Sequence, residues 1–195
     1  MRATVEGMWL LPLALATTLL APGSTPLDTA RAYFEAILRG ESDRALVLVY
    51  EPSQADRWVV EASAARERGL SHLEELARSR FGERGDLGVA AHRRRVLQAI
   101  VLAKVEVQGD RAEVRPEGER PLRLRRVAGA WKVLSPAERL TGEERGALSR
   151  ALEKTQAVAE DLAARIRSGA LRSAREARAA LSKVLGQDRE DGVPL

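Results

Sequence analysis

The sequence VLQAIVLAKVEVQGDRAEVRPEGERPLRLRRVAGAWKVL (Val96–Leu134) is the most informative part of the chain about the fold, because apolar residues alternate with polar ones over much of its length. Gly109-Asp110 and Ala128-Gly129 are suited to two-residue hairpin turns. We therefore predict a long first strand, a tight turn, a second strand, a loop and a closing hairpin. The rest of the chain is expected to form helices laid against this antiparallel sheet or following it.

The first turn sets which residues face each other across the sheet. It pairs Val107 with Ala112 and Val105 with Val114, so that the apolar face continues from one strand to the next. Residues 97–102 are apolar on both faces of the predicted first strand. We therefore expect part of the outer face of this strand to be covered as well.

The second turn predicts the other hairpin. It pairs Leu124 with Val133 and Arg126 with Trp131. Trp131 is then an inward-facing anchor, and Arg126 is placed to lie across its ring at the rim of the sheet.

Several helices are predicted before the sheet. Thr25-Pro-Leu-Asp28 combines a capping box with a proline at the first helical position, and apolar residues then recur at helical spacing as far as Gly40. A short second helix follows. Ser53–Asp56 opens a third helix, which Gly69 is expected to interrupt because Ser71–Glu74 forms a fresh capping box.

The remaining segments complete the predicted organisation. Residues 81–88 are typical of a loop, and residues 89–95 fit either the end of a helix or the start of a strand. After the sheet, two apolar stripes at helical spacing predict a helical hairpin over residues 136–186. This hairpin could pack on the sheet or serve as a partner surface. Residues 187–195 are predicted to form a flexible tail.

The N-terminus carries an almost uninterrupted apolar run, Met8–Leu20, preceded by Arg2. The run is shorter than the roughly 20 apolar residues that cross a bilayer comfortably, and the small residues of Ala21-Pro-Gly23 suit a cleavage site. We predict that residues 1–23 are a secretory signal peptide or an uncleaved membrane anchor; a buried first helix is the alternative. The protein is then extracytoplasmic, either periplasmic or secreted, and touches the membrane only through residues 8–20 if they stay attached.

Composition excludes several classes of site. The chain has no cysteine, which excludes disulfides, thiolate metal sites and a cysteine nucleophile. It has no asparagine, which excludes N-glycosylation sequons. The net charge is +4, and 28 of the 32 basic residues are arginine. A GC-rich coding background would produce the same bias, so basicity alone does not favour nucleic acid as a partner.

The order of these elements resembles a known superfamily. A first helix reading ARAYFEAILRGE (Ala30–Glu41), a short second helix and a curved antiparallel sheet ending LRRVAGAWKV (Leu124–Val133) resemble the nuclear-transport-factor-2-like superfamily, also called the ketosteroid-isomerase or SnoaL-like cone. The resemblance covers about residues 26–135. It implies an α+β domain over residues 24–135, with N-terminal helices packed on a curved sheet around a cone-shaped pocket. Residues 53–95 depart from the family, because they are predicted to be helical where early strands are usual.

The resemblance also suggests where chemistry would lie. In the isomerases of this family, a tyrosine of the first helix and a protonated aspartate form an oxyanion hole, and another aspartate is the base. Tyr33 lies at the matching distance before Gly40, and Asp56 falls near the place of the base. These are the two candidate catalytic residues. The sheet positions that would carry the second acid are apolar, and a tyrosine on the first helix is also an ordinary packing residue.

Aromatic residues and one arginine are the candidates for ligand binding, although aromatic residues in such positions equally build a core. These candidates are Tyr33, Tyr50, Trp58, Arg126 and Trp131. His72 and His92, the two histidines, have no carboxylate at ligand spacing, so we predict neither a metal nor a cofactor. The segment 92–95 is basic but lacks the interleaved aromatic residues of a single-strand binder, which favours a solvated face or a strand edge.

These observations favour an exported, non-enzymatic cone-fold protein that binds a small apolar ligand or serves an assembly role with a protein partner, a homodimer included. The missing acid–base set argues against the alternative, a SnoaL-like isomerase using Tyr33. A further alternative is an arginine-mediated binder of polyanions or of the cell-envelope surface.

Overall fold

The computed structural model describes residues 24–117 and 120–190 and contains, in these ranges, six α-helices and one four-stranded antiparallel sheet. The α+β class predicted from the sequence is confirmed. Helices precede a curved sheet, and two more helices follow it. The predicted signal peptide or anchor over residues 1–23 lies outside the described residues.

Four helices come before the sheet: α1 (Pro26–Arg39), α2 (Ser42–Val47), α3 (Gln54–Phe81) and α4 (Val89–Val101), with a 3-10 turn over Gly82–Gly85. The start of α1 is the predicted capping box. The Thr25 hydroxyl accepts the Asp28 amide at 3.1 Å, and the Asp28 carboxylate accepts the Thr25 amide at 2.9 Å. Gly40 ends α1 with a left-handed φ of 77°.

The predicted break of α3 at Gly69 is wrong, since this helix runs without interruption for 28 residues. A glycine inside a helix costs only about 1 kcal/mol relative to alanine. Leu70 and Leu73 next to it are buried in one continuous core face, which compensates for that cost. Ser71 caps no new helix; its hydroxyl donates back to the carbonyl of Glu67 at 2.8 Å.

The first strand also begins later than predicted, because residues 89–101 form α4. Only Lys104–Gln108 are extended in this part of the chain. Burial here follows helical rather than alternating spacing: Ile100 is buried, whereas Val101 and Leu102 are exposed. A short apolar run fits both periods, so the pattern alone did not distinguish them. The cover expected over the outer face of this strand is also absent from the part of the chain that the structure describes.

The sheet has the strand order β1 (Lys104–Gln108), β2 (Arg111–Arg115), β3 (Leu122–Val127) and β4 (Ala130–Val133). The predicted register is confirmed in both hairpins, with the pairs Val105–Val114, Val107–Ala112, Leu124–Val133 and Arg126–Trp131. Trp131 is only 5% exposed and is the inward anchor that was predicted. Arg126 is exposed. A cation–π contact is made by its neighbour Arg125, which lies 5.5 Å above the ring of Tyr50.

The buried apolar residues form two main clusters, and α3 contributes to both. The sheet-side core joins α1, α2 and α4 to one face of the sheet and includes Tyr33, Phe34, Val60, Leu122, Leu124, Trp131 and Val133. The helix-side core joins the second half of α3 to α5 (Gly142–Arg167) and α6 (Ala174–Glu190) and includes Leu70, Leu73, Ala77, Leu162, Ile166 and Leu181. A third, small cluster comprises Val59, Ala137, Leu140 and Leu148.

The predicted C-terminal hairpin exists as α5 and α6, but it packs mainly on α3 rather than on the sheet. Because α3 contributes to both cores, the two helices after residue 135 pack on a helix that precedes it in the chain. Residues 187–190 continue α6 past Gly186, although they were predicted to lie in a flexible tail. An isolated glycine again does not end the helix. Residues 191–195 lie outside the described range.

Candidate functional site

A cleft of about 490 Å³ lies between the sheet-side core and the helix-side core. Its walls come from α1, α3, α4, α5, α6 and the segment that precedes α5. Their apolar side chains include Phe34, Ile37, Val59, Leu70, Val96, Leu140, Leu148, Leu152 and Leu181. Ligand sites for small molecules commonly have volumes of roughly 300–1,000 Å³ and mainly apolar walls. The cleft therefore has the size and the surface of a small-molecule site.

Tyr33 lies at this cleft and is almost completely buried. Its ring meets the edge of Phe34, with 5.5 Å between the centroids and 82° between the planes. The sequence singled out Tyr33 both as a catalytic candidate and as a binding candidate. It is the one member of either set that lines the cleft.

A buried carboxylate, Glu67 of α3, also lines the cleft. The Nε of Arg93 is 3.2 Å from this carboxylate, and a guanidinium nitrogen of Arg66 is 3.6 Å from it. Arg93 additionally donates to the Ser71 hydroxyl at 2.6 Å and to the Glu67 carbonyl at 2.9 Å. Burial raises the pKa of the Glu67 carboxyl, and the charges of the two arginines act against that rise.

Sequence reasoning missed Glu67, although a signal was present. Val60, Ala64, Glu67, Ser71 and Glu74 follow one another at spacings of three and four residues along α3. Two carboxylates therefore lie on a stripe that is otherwise apolar or small, and both are buried. A charged residue in the buried stripe of an amphipathic helix predicts a partner of opposite charge, because an unpaired buried charge is costly.

Arginine dominates the charged lining of the cleft, with Arg66, Arg95, Arg120 and Arg178 against one carboxylate, Glu67. Arg120 pairs with Glu144 of α5 at 3.0 Å, and Arg178 of α6 donates to the carbonyl of Asp86. Arg95 differs from these, because no carboxylate in the described part of the chain pairs with it. The cleft thus has a cationic group available to a ligand at its solvent-exposed side.

Asp56, the second catalytic candidate, does not line the cleft and instead fastens two segments together. It forms the capping box of α3, where the Ser53 hydroxyl donates to its carboxylate at 2.6 Å. Its other oxygen accepts the Ser135 hydroxyl at 2.8 Å and the Ala137 amide at 2.9 Å. Burial raises the pKa of Asp56, but these hydrogen bonds outweigh it and hold the pKa below its usual value.

The other binding candidates are distributed over the molecule and do not converge. Tyr50 is half-buried beneath Arg125, and Arg126 is exposed on the sheet. Trp131 is buried within the sheet-side core. Trp58 is 39% exposed and lines a different groove, of about 550 Å³, between α3 and α5. The sequence does not predict that these residues lie apart, because their relative positions depend on how the helices cross.

Comparisons of the chain with family models, with curated proteins and with solved structures give no significant match. Within the ranges 24–117 and 120–190, no helix is both long and apolar enough to cross a membrane. The same residues contain no group of three or more histidine, aspartate or glutamate side chains that could hold a metal ion.

The cleft offers two kinds of interaction. Its leucine, isoleucine, valine and phenylalanine side chains can bury an apolar body, at roughly 25 cal/mol for each Å² removed from water. Its arginines can pair with an anionic group, and a partly exposed pair of this kind contributes up to about 1 kcal/mol. Tyr33, Glu67 and His92 add groups that can exchange protons or hydrogen bonds with a bound molecule.

Proposed function

We propose that this protein is a non-enzymatic binding protein, which holds a small, mainly apolar ligand with one acidic group in the cleft between α1, α3, α4, α5 and α6. The observation that carries the proposal is the pairing of apolar walls with four lining arginines and a single carboxylate. The apolar walls supply affinity, and the excess of cationic groups selects the charge of the ligand.

Three matched ligands test this proposal: dodecanoic acid, dodecanol and dodecylamine, titrated into the full chain by isothermal calorimetry. We expect the acid to bind most tightly, the alcohol more weakly and the amine least, because the cleft is lined by more cations than anions. Equal binding of acid and alcohol would leave an apolar site without charge selection. Failure of all three ligands to bind would contradict the proposal as a whole.

Arg95 supplies the matched variant for this experiment. Arg95→Gln should weaken binding of dodecanoic acid by about three- to fivefold, the range that a partly exposed ion pair gives, and should leave dodecanol unaffected. Arg94→Gln is the control, since Arg94 is an exposed neighbour on α4 that does not line the cleft. An equal loss in both variants would mean that general basicity, rather than the cleft, attracts the acid.

The enzymatic alternative keeps one observation in its favour. Tyr33, Glu67 and His92 line the same cleft, so it contains proton-transferring groups among apolar walls. A SnoaL-like isomerase would turn over an enolisable ketone such as a 3-keto-Δ5-steroid. The rate should then fall in Tyr33→Phe and in Glu67→Gln, whereas the binding proposal expects no turnover by the unaltered chain.

We propose that the protein is exported, on the basis of the apolar run Met8–Leu20. N-terminal sequencing of the protein recovered from outside the cytoplasm would test cleavage after Gly23.

Binding to polyanions through surface arginines is the other alternative. It requires association with DNA or anionic vesicles that weakens steeply as salt is added, and its absence at low ionic strength would eliminate that alternative.

A further inference from the structure

The first strand of the sheet, β1, is an unpaired edge with an apolar face. In the strand order β1-β2-β3-β4 it has one neighbour, and all five of its residues are exposed. Val105 and Val107 pair with the buried Val114 and Ala112 and so point to the same side of the sheet. They are nevertheless 37% and 53% exposed, whereas their partners on β2 are buried.

The exposed backbone of this edge follows from the turn beside it. Gly109 has a φ of 61° at the first position of a two-residue turn. Such a turn makes Gln108 and Arg111 a hydrogen-bonded pair, so Gln108, Glu106 and Lys104 direct their backbone polar groups towards β2. The backbone N–H and C=O of Val105 and Val107 consequently point away from the sheet.

The charges of β1 favour one way of pairing it with itself. Antiparallel pairing about Val105 places Val105 opposite its own copy and Val107 opposite Ala103, which keeps apolar residues together. The same register places Lys104 opposite Glu106 in both halves, so that opposite charges meet directly across the strands. It also makes Val105 a hydrogen-bonded pair, which is what its outward-pointing backbone groups require.

We propose that β1 is a homodimer interface, where two copies of this chain join edge to edge about Val105 and form one continuous eight-stranded sheet. The neighbouring register, centred on Glu106, is less favourable because it places Glu106 directly opposite its own copy. Lys104 has no carboxylate partner in the described part of the chain, so it is available to Glu106 of the second copy. Glu106 lies 3.3 Å from Arg115 within its own chain, and the lysine would be its second cation.

The exposed apolar residues around β1 fit an interface rather than an isolated edge. Val101 and Leu102, at the end of α4 directly before β1, are 49% and 71% exposed. β1 is short and carries Lys104 and Glu106 on one side, but the side that holds Val105 and Val107 has no inward-pointing charge, proline or bulge to protect the edge. Because five paired residues form a small interface, we expect a dissociation constant on the order of 10–100 μM.

Charge reversal tests the register by sedimentation equilibrium of the full chain. Lys104→Glu and Glu106→Lys should each weaken dimerisation by about tenfold, because each places like charges opposite one another at two positions of the interface. The double variant Lys104→Glu/Glu106→Lys should restore the dimer, since the pairs are then only exchanged. A monomer at all concentrations, or a double variant no better than the single ones, would overturn the proposal.

A single thiol tests the same register independently, because the natural chain has no cysteine. Two copies of Val105→Cys would face each other with Cα atoms about 5.5 Å apart, within the range of a disulfide. Two copies of Val107→Cys would be displaced by four residues, roughly 13 Å, and are the matched control. Diamide should cross-link the first variant and not the second. Equal cross-linking, or preferential cross-linking of Val107→Cys, would contradict this pairing.

Discussion

The sheet-side core and the helix-side core are built from different kinds of side chain. The first contains the aromatic residues Tyr33, Phe34 and Trp131 against a sheet whose strands are held in one register. The second is made largely of leucine and alanine from three helices. Strand alternation specifies both the buried face and the partner of each residue, whereas a helical stripe specifies the buried face only. The two cores should therefore respond differently to substitution.

The largest effect is expected in the sheet-side core. Trp131→Ala should lower the free energy of unfolding by roughly 3–5 kcal/mol, because a buried aromatic ring is replaced by a cavity. Trp58→Ala is the matched control, since the Trp58 ring is substantially exposed and should cost less than about 1 kcal/mol. Urea unfolding measures both values. An equal cost would mean that the sheet does not bury Trp131.

Substitution of a leucine in the helix-side core should lower the free energy of unfolding by less. The same measurement shows whether the two cores unfold together. Leu162→Ala removes a fully buried side chain and should cost about 2–4 kcal/mol. The exposed Leu102→Ala is its control. Since α3 belongs to both cores, we expect one cooperative unfolding transition. Circular dichroism and tryptophan fluorescence should report the same midpoint. Separate transitions by the two probes would mean that the cores are independent.

The carboxylate of Asp56 links the start of α3 to the segment that leads into α5. Asp56→Asn should cost about 1–2 kcal/mol at neutral pH, a range typical of a lost helix cap. The pKa of Asp56 is lowered in the folded protein, so its contribution exists above the unfolded value near 3.9 and disappears as the pH falls through the folded pKa. Unfolding at several pH values should show wild type and variant converging in acid.

The smallest effect is expected for Glu67. Here the test is whether the wild type gains or loses stability relative to Glu67→Gln as the pH falls. Burial raises its pKa above the unfolded value near 4.3, so the folded state binds this proton more tightly. Relative to Glu67→Gln, the wild type should therefore gain stability as the pH falls through the folded pKa towards about 4.3. If the wild type instead lost stability relative to Glu67→Gln as the pH fell, the ion pairs with Arg93 and Arg66 would outweigh burial.

How far the sequence predicted the molecule differs between the two cores. The turns at Gly109 and Ala128 predicted both hairpins and their register, and Thr25–Asp28 predicted the start of α1. The limits of α3 and α4 were missed, because Gly69 is a weak breaker and residues 96–102 fit two periods. Of the candidate site residues, Tyr33 lies at the cleft. Glu67 was not singled out, and Arg95 was noted only as part of the basic segment 92–95, without a place in a cleft.

Strand alternation, two-residue turns and capping boxes can be recognised in the sequence, because each is encoded within a few neighbouring residues. The packing of α5 and α6 on α3, which leaves a cleft between the two cores, is visible only in the folded molecule. Glu67 meets Arg93 across 26 residues of chain, and Asp56 meets Ala137 across 81. Contacts at such separations depend on how helices cross, and a stripe of leucine and alanine does not specify which other stripe covers it.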